Sequence, residues 1–442
     1  MSRSLLAPLT NSLRNLRYNY LFLPGLIAFA FAGLALATTR LDRTGGSDGV
    51  LTLFPAGPPA ARAVLQTIAT TVATVAGVAF SLTIVSLQLV SQQFTPRALR
   101  GFLGDRLNQT IAGVFVGVFI YCLVALRSVE EGEESFLPGL TLTLALALAL
   151  VALALLLVFV HHMGHSIQVS NIAKRIADAT LAAVENRYPS SYGDAIVDAD
   201  LEAVVARWDG ESPPTLVYSE EPGFVQSLDD IPKTIEGGSF RLELLVAPGD
   251  FVTPRHPIVR VWTGADPDEC ATAVRRAIAI APERDLRQDV GYGVRQLADI
   301  AVKALSPSVN DPTTAATCIG YLQAILERIA AEPAPAPIRH FPDKDVTILM
   351  KRDTFSDYLE ALTQIGRYAS SDARAVDALL HASLRVAQAA AEGGAEDRAR
   401  AAAEVGTRIA RRALSSEAID EEEREAIATV LEQFPSREGA VR

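Results

Sequence analysis

The stretch Gly139-Leu-Thr-Leu-Thr-Leu-Ala-Leu-Ala-Leu-Ala-Leu-Val-Ala-Leu-Ala-Leu-Leu-Leu-Val-Phe-Val160 decides the fold class, because its 22 residues contain no charged and no amide side chain. Crossing ~30 Å of hydrocarbon takes about 20 helical residues, so this segment is long enough to span a bilayer. Its Leu-Ala alternation imitates the period of a strand, but a strand of that length with two apolar faces would be anomalous. The expectation is a transmembrane helix.

Outward from it, three further apolar stretches have comparable length, at about 20–38, 64–90 and 110–126. Ala35-Leu36-Ala37 imitates a signal-peptide cleavage site, but the apolar run is longer than a signal core, so the first stretch is taken as an uncleaved span. Residues 1–163 are thus expected to be a transmembrane domain of four helices. The chain has 442 residues, 49% hydrophobic and 21% charged, with a mean hydropathy of +0.23, which suits a part-embedded, part-soluble protein. Residues 1–163 carry 10 Arg, no Lys and 7 acidic residues, whereas the remainder carries 30 basic and 44 acidic ones. That acidity argues against a nucleic-acid partner. Cys122, Cys270 and Cys318 have no spacing that suggests a disulfide framework or a zinc site.

Arg3, Arg14, Arg17, Arg97, Arg100, Arg106, Lys174 and Arg175 fall on one side of the four spans. Arg40, Arg43, Arg62 and Arg127 fall on the other, together with the acidic run Glu130, Glu131, Glu133 and Glu134. The positive-inside rule predicts a multi-pass protein of the bacterial inner membrane with both termini cytoplasmic.

The second span is the least lipid-like. Thr67, Thr74, Ser81 and Gln88 repeat every seven positions, and Thr70 and Gly77 fall on the intervening steps, so one helical stripe is small or polar throughout. Two explanations fit: close helix packing with hydroxyl bonds across the interface, or several copies lining an aqueous path in a homo-oligomer. Gly113-x-x-x-Gly117 in the third span reads as a contact face. No Asp, Glu, Lys or Arg lies deep within any span, which counts against an ion-coupled transporter and leaves a passive pore or an anchor. His161 and His165 share a helix face just after the fourth span, but two imidazoles without a carboxylate partner do not make a metal site, and none is expected.

Beyond the spans a cytoplasmic α+β region is expected. A helical connector covers 164–211. A small β domain covers 212–264, with strands at Thr215–Tyr218, Phe240–Val246 and Ile258–Trp262 broken by Pro248-Gly249-Asp250. The run from Gly249 to Val261 resembles the turn-and-strand pattern of hammerhead or barrel-sandwich modules without their modified lysine loop, so a structural module is expected, with His256 a turn residue. A helical domain covers 265–331, where Asp266-Pro267 opens one helix and a helix with one buried face runs from Leu286 to Ala304. It is followed by an elbow, Ser306 to Pro312, in which Asp311 caps and Pro312 opens the next helix. A Pro-rich linker at 332–337, a short strand at 345–350 and C-terminal helices complete residues 332–442.

The elbow region carries a family resemblance. Arg284, Gln288-Asp289, the run Gly291-Tyr292-Gly293-Val294-Arg295-Gln296-Leu297-Ala298-Asp299 and the run Ala304-Leu305-Ser306-Pro307-Ser308-Val309-Asn310-Asp311-Pro312 resemble the hallmark block of the bacterial membrane proteins grouped as domain of unknown function 2254. Ser91–Arg97, Gly223-Phe-Val-Gln226 and Pro248–Val252 are similar too, and Ser308 stands where that block more usually has glycine. The resemblance implies the architecture and no reaction or cofactor. Arg284, Asp285, Gln288, Asp289, Arg295, Asp299, Ser306, Pro307, Asn310, Asp311 and Pro312 form the candidate structural or ligand cluster, with Asp285 and Asp289 expected on one helix face. No nucleophile–base pair and no phosphate or dinucleotide fingerprint accompanies it, so an enzyme is not expected. The alternative to a channel is a membrane-anchored scaffold or ligand sensor.

Overall fold

The computed structural model describes residues 21–44, 58–93, 105–129, 139–186, 193–196, 200–228, 231, 240–263 and 267–434. The first 20 residues, the segments 94–104 and 130–138, the loop at 188–190 and the Asp266 cap lie outside them. The chain divides into two compact units, 1–171 and 172–442.

The first unit contains α1 (Phe22–Thr44), α2 (Pro58–Gln93), α3 (Arg106–Leu126) and α4 (Gly139–Ser166), four helices long and apolar enough to cross a membrane. The helices α2, α3 and α4 cover the expected spans and extend past them by a turn or more at one end, and α1 starts at Phe22 and runs on from the expected end at 38 to Thr44. The most enclosed helix is α3, which packs against the other three. Gly113 and Gly117 make this possible: a Cβ at Gly113 would meet Pro24 and Ile27 at 2.9 Å, and one at Gly117 would meet the Phe31 ring at 2.8 Å, so α1 lies directly on the glycine face. Polar bonds tie the helix ends. Asp42 of α1 accepts from the backbone amides of Leu140 and Thr141 at 3.0 Å each, which satisfies orphan donors in the first turn of α4. The Tyr121 hydroxyl donates to the Thr141 carbonyl and sits 3.1 Å from Thr38.

The second unit begins within α5 (Val169–Asn186) and continues with β1 (Asp194–Ile196), α6 (Leu201–Glu211), β2 (Thr215–Tyr218), β3 (Gly223–Ser227), β4 (Phe240–Leu244), β5 (Phe251–Val252), β6 (Pro257–Thr263), α7 (Pro267–Ala277) and β7 (Ala279–Ala281). It ends with α8 (Val290–Ala304), α9 (Pro312–Ala331), β8 (Ile338–Phe341), β9 (Val346–Leu349), α10 (Phe355–Ala369), α11 (Ala373–Glu392), α12 (Glu396–Leu414) and α13 (Glu421–Leu431). Six strands form one sheet in the order β1-β8-β9-β4-β6-β2, antiparallel except for β4 beside β9, and three form a second, β5-β3-β7. The β region therefore reaches beyond 212–264. The predicted strand at 345–350 is paired with an additional one at 338–341, and both complete the sheet on the β4 side. The two sheets and α7 share a core that includes Val225, Leu242, Val259, Val274 and Ile348. On another part of the large sheet Trp208 of α6 meets Trp262 edge-on, 5.2 Å between ring centroids.

The helices α8 to α13 pack on one another, and all but α12 start with a side-chain cap. Thr354 with Asp357 and Asp420 with Glu423 form reciprocal capping boxes, and Asp372 caps α11.

Candidate functional site

Two places in the molecule gather the residues singled out by the sequence: the exposed face of α2 and the N-terminal end of α8.

Along α2 the buried positions are Ala61, Leu65, Ile68, Ala69, Val72, Ala79, Thr83 and Ser86, which face the rest of the bundle. At about 100° per residue, Thr67, Thr70, Thr74, Gly77, Ser81 and Gln88 lie on the opposite side, and all six are exposed. A Cβ at Gly77 would meet nothing within 4 Å. Thr67 and Thr74 donate to the carbonyls of Ala63 and Thr70 in their own helix, at 2.8 and 2.9 Å. The stripe is therefore not the seam that holds the four helices together. Beside it a shallow groove of about 510 Å³ runs between α2 and α3, with Gln66, Thr70 and Thr74 on one wall and Phe119, Leu123 and Leu126 on the other.

In the second unit, α8 begins at Val290, four residues later than its apolar pattern suggests, and Asp289 is its N-cap. This corrects the expected pairing of Asp285 with Asp289 on one helix face. Asp285 instead accepts from the backbone and side chain of Arg287 in the preceding turn, at 3.2 and 2.5 Å. Asp289 turns inward and receives a bidentate pair of bonds from Arg284, Nε to Oδ2 at 2.6 Å and Nη2 to Oδ1 at 2.7 Å, while the Tyr292 amide donates to Oδ1 at 2.8 Å. The Arg284 guanidinium also lies over the Tyr292 ring, 5.2 Å from its centroid. Burial raises the Asp289 carboxyl above its ordinary value, with the Arg284 bonds and charge opposing the shift. Burial alone would lower Arg284, but the bonds to Asp289 and the charges of Asp289 and Asp353 carry it upward.

Two further segments that resemble the family, Gly223–Gln226 and Pro248–Val252, meet the Arg284–Asp289 pair here. Gly249, at φ +96°, leaves room for the ion pair, because a Cβ there would stand 2.6 Å from Arg284 Nη2 and closer still to Asp289. The turn is pinned to β3 by Gly249 N to Val225 O at 2.8 Å and Val225 N to Asp250 O at 2.9 Å. Gln288 accepts from the Leu228 amide at 3.2 Å, and Gln226 donates to the Glu283 carbonyl at 2.9 Å. Asp250 is paired with Lys351 at 2.9 Å, and Tyr358 of α10 donates to Asp353 at 3.0 Å. The glycines of the Gly-Tyr-Gly run have separate tasks. Gly291 lies 3.6 Å or more from the ion pair and Asp353, whereas Gly293 lies against Thr180 of α5, with no space for a side chain.

The remaining candidates do not join this point. The helix α8 is about 22 Å long, so the elbow stands at its far end. There the Asp311 amide donates to the Ala304 carbonyl at 2.8 Å, and the Asp311 carboxylate accepts from the Thr314 amide at 3.0 Å and hydroxyl at 2.6 Å. Those bonds lower the Asp311 carboxyl. Ser306 donates to the Lys303 carbonyl at 2.6 Å. The left-handed residue of the turn is Asn310, at φ +48°, so serine at 308 imposes no backbone strain. Pro307 through Asn310 are exposed, Pro312 starts α9, Arg295 is exposed in mid-helix and Asp299 is half-buried. The Arg284–Asp311 block is thus two separate structures, an ion-pair lock and a capped elbow, joined by one helix. What the sequence did not indicate was the part played by Gly249, Asp353 and Tyr358 in the lock.

His161 and His165 touch edge-on, 4.6 Å between centroids, while His162 pairs with Asp105 at 2.5 Å. Among the described residues no three His, Cys, Asp or Glu side chains stand close enough to share a metal ion.

Relatives of the chain are themselves uncharacterized. Uncharacterized proteins of Mycobacterium bovis and of Mycobacterium tuberculosis strain H37Rv are each 32% identical over 349 residues, which is 76% of this chain. The matched stretch spans 65% of the length of each relative. No solved structure matches the chain. Residues 17–384 match the family described as "Predicted membrane protein (DUF2254)", so the chain belongs to this family of membrane proteins.

Proposed function

We propose that the protein is a homo-oligomeric channel of the bacterial inner membrane. In this role α2 lines a narrow path, both termini are cytoplasmic, and the unit after Asn171 is a cytoplasmic regulatory domain. The observation that carries this is the direction of the α2 stripe: its hydroxyls, Gly77 and the Gln88 amide point away from their own bundle. Hydroxyl and amide groups gain nothing from acyl chains, and a ring of identical helices gives them either each other or water. The arginine-rich side of the spans supports the orientation. The lock at Arg284–Asp289, which fastens a β turn to α8, is the element of the regulatory unit through which a ligand could shift the helices. Neither a cofactor nor a catalytic step is assigned. Burial pushes the Cys270 and Cys318 thiols up to about 11 and about 12, which removes the two best nucleophiles of the second unit from use near neutral pH. The bilayer is the one partner assigned besides further copies of the chain.

Ion flux from vesicles holding the purified protein tests the proposal. Flux that is present and altered by Thr74→Leu or Ser81→Leu supports a pore, and silent vesicles around a monomeric protein remove it. A second role, as a membrane-anchored scaffold or ligand sensor, is favoured by the bonds of Thr67 and Thr74 to their own helix, since hydroxyls satisfied in this way tolerate a dry neighbour.

A further inference from the structure

We propose that Asp105 and His162 form a proton-operated clasp between the start of α3 and the end of α4, tight in mildly acid solution and looser as pH rises. The clasp stands whether or not the protein conducts, and with the orientation proposed above it reads the pH of the cytoplasm.

Asp105 has two tasks, one for each carboxylate oxygen. Oδ1 accepts from the Leu107 amide at 2.9 Å and caps α3, while Oδ2 lies 2.5 Å from His162 Nε2 near the end of α4. The Ser166 hydroxyl lies 3.2 Å from the same nitrogen. A bare Nε2 lone pair turned on a carboxylate oxygen at this distance would be repelled, so Nε2 carries the proton and donates to Asp105, with the Ser166 oxygen beside it. Among the described residues no hydrogen bond reaches Nδ1, and 29% of the His162 side chain is exposed. A second proton is therefore taken up at Nδ1 from solvent without breaking the bond to Asp105. That proton turns a neutral donor into a cation against a carboxylate that is 14% exposed, where opposite charges attract more strongly than in open water. An imidazole gains or loses this charge between about pH 5 and 8, a range in which a carboxylate paired in this way keeps its own.

Few other groups face this pair. Among the described residues α3 brings Asp105 and the exposed Arg106 to this end, and its next titratable groups, Tyr121 and Cys122, lie about 24 Å further along. The charged residues of α1 and α2, namely Arg40, Asp42, Arg43 and Arg62, belong to the opposite end of the bundle, where Asp42 binds the first turn of α4. On α4 itself His161 and His165 are exposed and touch each other. Lys174 and Arg175 follow on α5, with Lys174 held by Asp178 at 2.6 Å.

His162 lies one turn before α4 ends at Ser166, and a short turn, in which Asn171 donates to the His165 carbonyl at 2.7 Å, leads into α5 and the second unit. Loosening the clasp therefore releases the end of the helix through which the chain passes from one unit to the other.

Hydrogen–deuterium exchange of the full chain in lipid nanodiscs tests the clasp, with rates at about pH 5.5 and about pH 8 each divided by the rate of an unprotected amide at that pH. The amides around the end of α4 are expected to be several-fold better protected at the acid value. His162→Gln keeps a donor that takes no charge, and Asp105→Asn keeps the cap without a charge, so each is expected to show the same protection at both values. The two substitutions lie on different helices, so failure of one to fold leaves the other to decide. His165→Gln is expected to keep the pH dependence of the parent. Equal protection of the parent at both values, a pH dependence that survives in His162→Gln or Asp105→Asn, or its loss in His165→Gln overturns the clasp.

Discussion

Gly249 packs its bare Cα against the carboxylate of Asp289, and the two residues specify each other across 40 positions of sequence. The glycine is needed twice, once for its φ of +96° and once for the space that the Arg284–Asp289 pair fills. Gly249→Ala is therefore expected to lower stability by about 2 kcal/mol or more, from backbone strain and a displaced ion pair. Gly291→Ala, whose Cβ would stand 3.6 Å from the nearest atom of the pair, is expected to be neutral or slightly stabilising, since it adds a helix former to α8. Thermal unfolding in detergent checks both: a drop of several degrees for the first and none for the second.

Breaking the ion pair from one side is expected to cost more than any surface ion pair in the molecule. Asp289 is 2% exposed, and Asp289→Ala leaves Arg284 with a half-buried charge while also uncapping α8. The loss is about 3 kcal/mol, the usual range for an orphaned buried partner. Replacing the exposed partner in Lys351–Asp250 is expected to change stability by less than about 1 kcal/mol. Chemical unfolding curves of Asp289→Ala and Lys351→Ala, compared at one pH, separate the two cases.

The elbow gives a pH dependence with a definite sign. Asp311 has a folded value lowered from 3.8 by its bonds to Thr314, so its stabilising effect is present above 3.8 and is lost as pH falls through the lower folded value. Asn caps a helix about as well as Asp but does not titrate. Asp311→Asn is thus expected to match the parent protein in strongly acid solution and fall slightly below it at neutral pH. Asp311→Ala is expected to lose about 1 kcal/mol near pH 7. Asp289 has the reverse sign. Its folded value is raised, so its ionisation costs stability as pH rises through that value, and it does not contribute to acid unfolding.

Two glycines of the first unit are expected to give opposite results. Gly117 has the Phe31 ring at the distance of a clash, whereas Gly77 has open space. Gly117→Leu is expected to destroy the packing of α1 on α3 and abolish a monodisperse elution profile in detergent. Gly77→Leu is expected to leave the protomer folded while lowering oligomer mass and flux, because its side chain enters only the space between copies.

Much of this was legible in the sequence where the determinant is local. Residues 139–160 form a helix long and apolar enough to span a membrane because nothing charged interrupts them, Asp311-Pro312 reads as a cap followed by a first-turn proline, and the seven-residue repeat in α2 marks one face. Contacts between distant residues could not be read in the same way. Periodicity told which residues of α2 share a stripe but not whether the stripe faces α3 or the outside, since that depends on which face the glycines of α3 leave for other helices. Leu286 continued the apolar spacing of α8 and concealed the true start at Val290, so Asp289 looked like a partner of Asp285 rather than a cap held by Arg284. The pairing of β4 with β9 joins strands about a hundred residues apart, and neither alternation nor turn chemistry announces a parallel neighbour at that separation.

Water access to the α2 stripe tests the channel most directly. Single cysteines placed at 67, 70, 74, 77, 81 and 88 in membrane-reconstituted protein are to be exposed to a small charged thiol reagent, with cysteines at the buried positions 65, 72 and 79 as controls. A pore predicts rapid modification that follows the stripe and reduces flux at the middle positions, with the controls inert. Stripe cysteines as unreactive as the controls, in protein shown to be oligomeric, would contradict it and leave α2 as a dry contact surface.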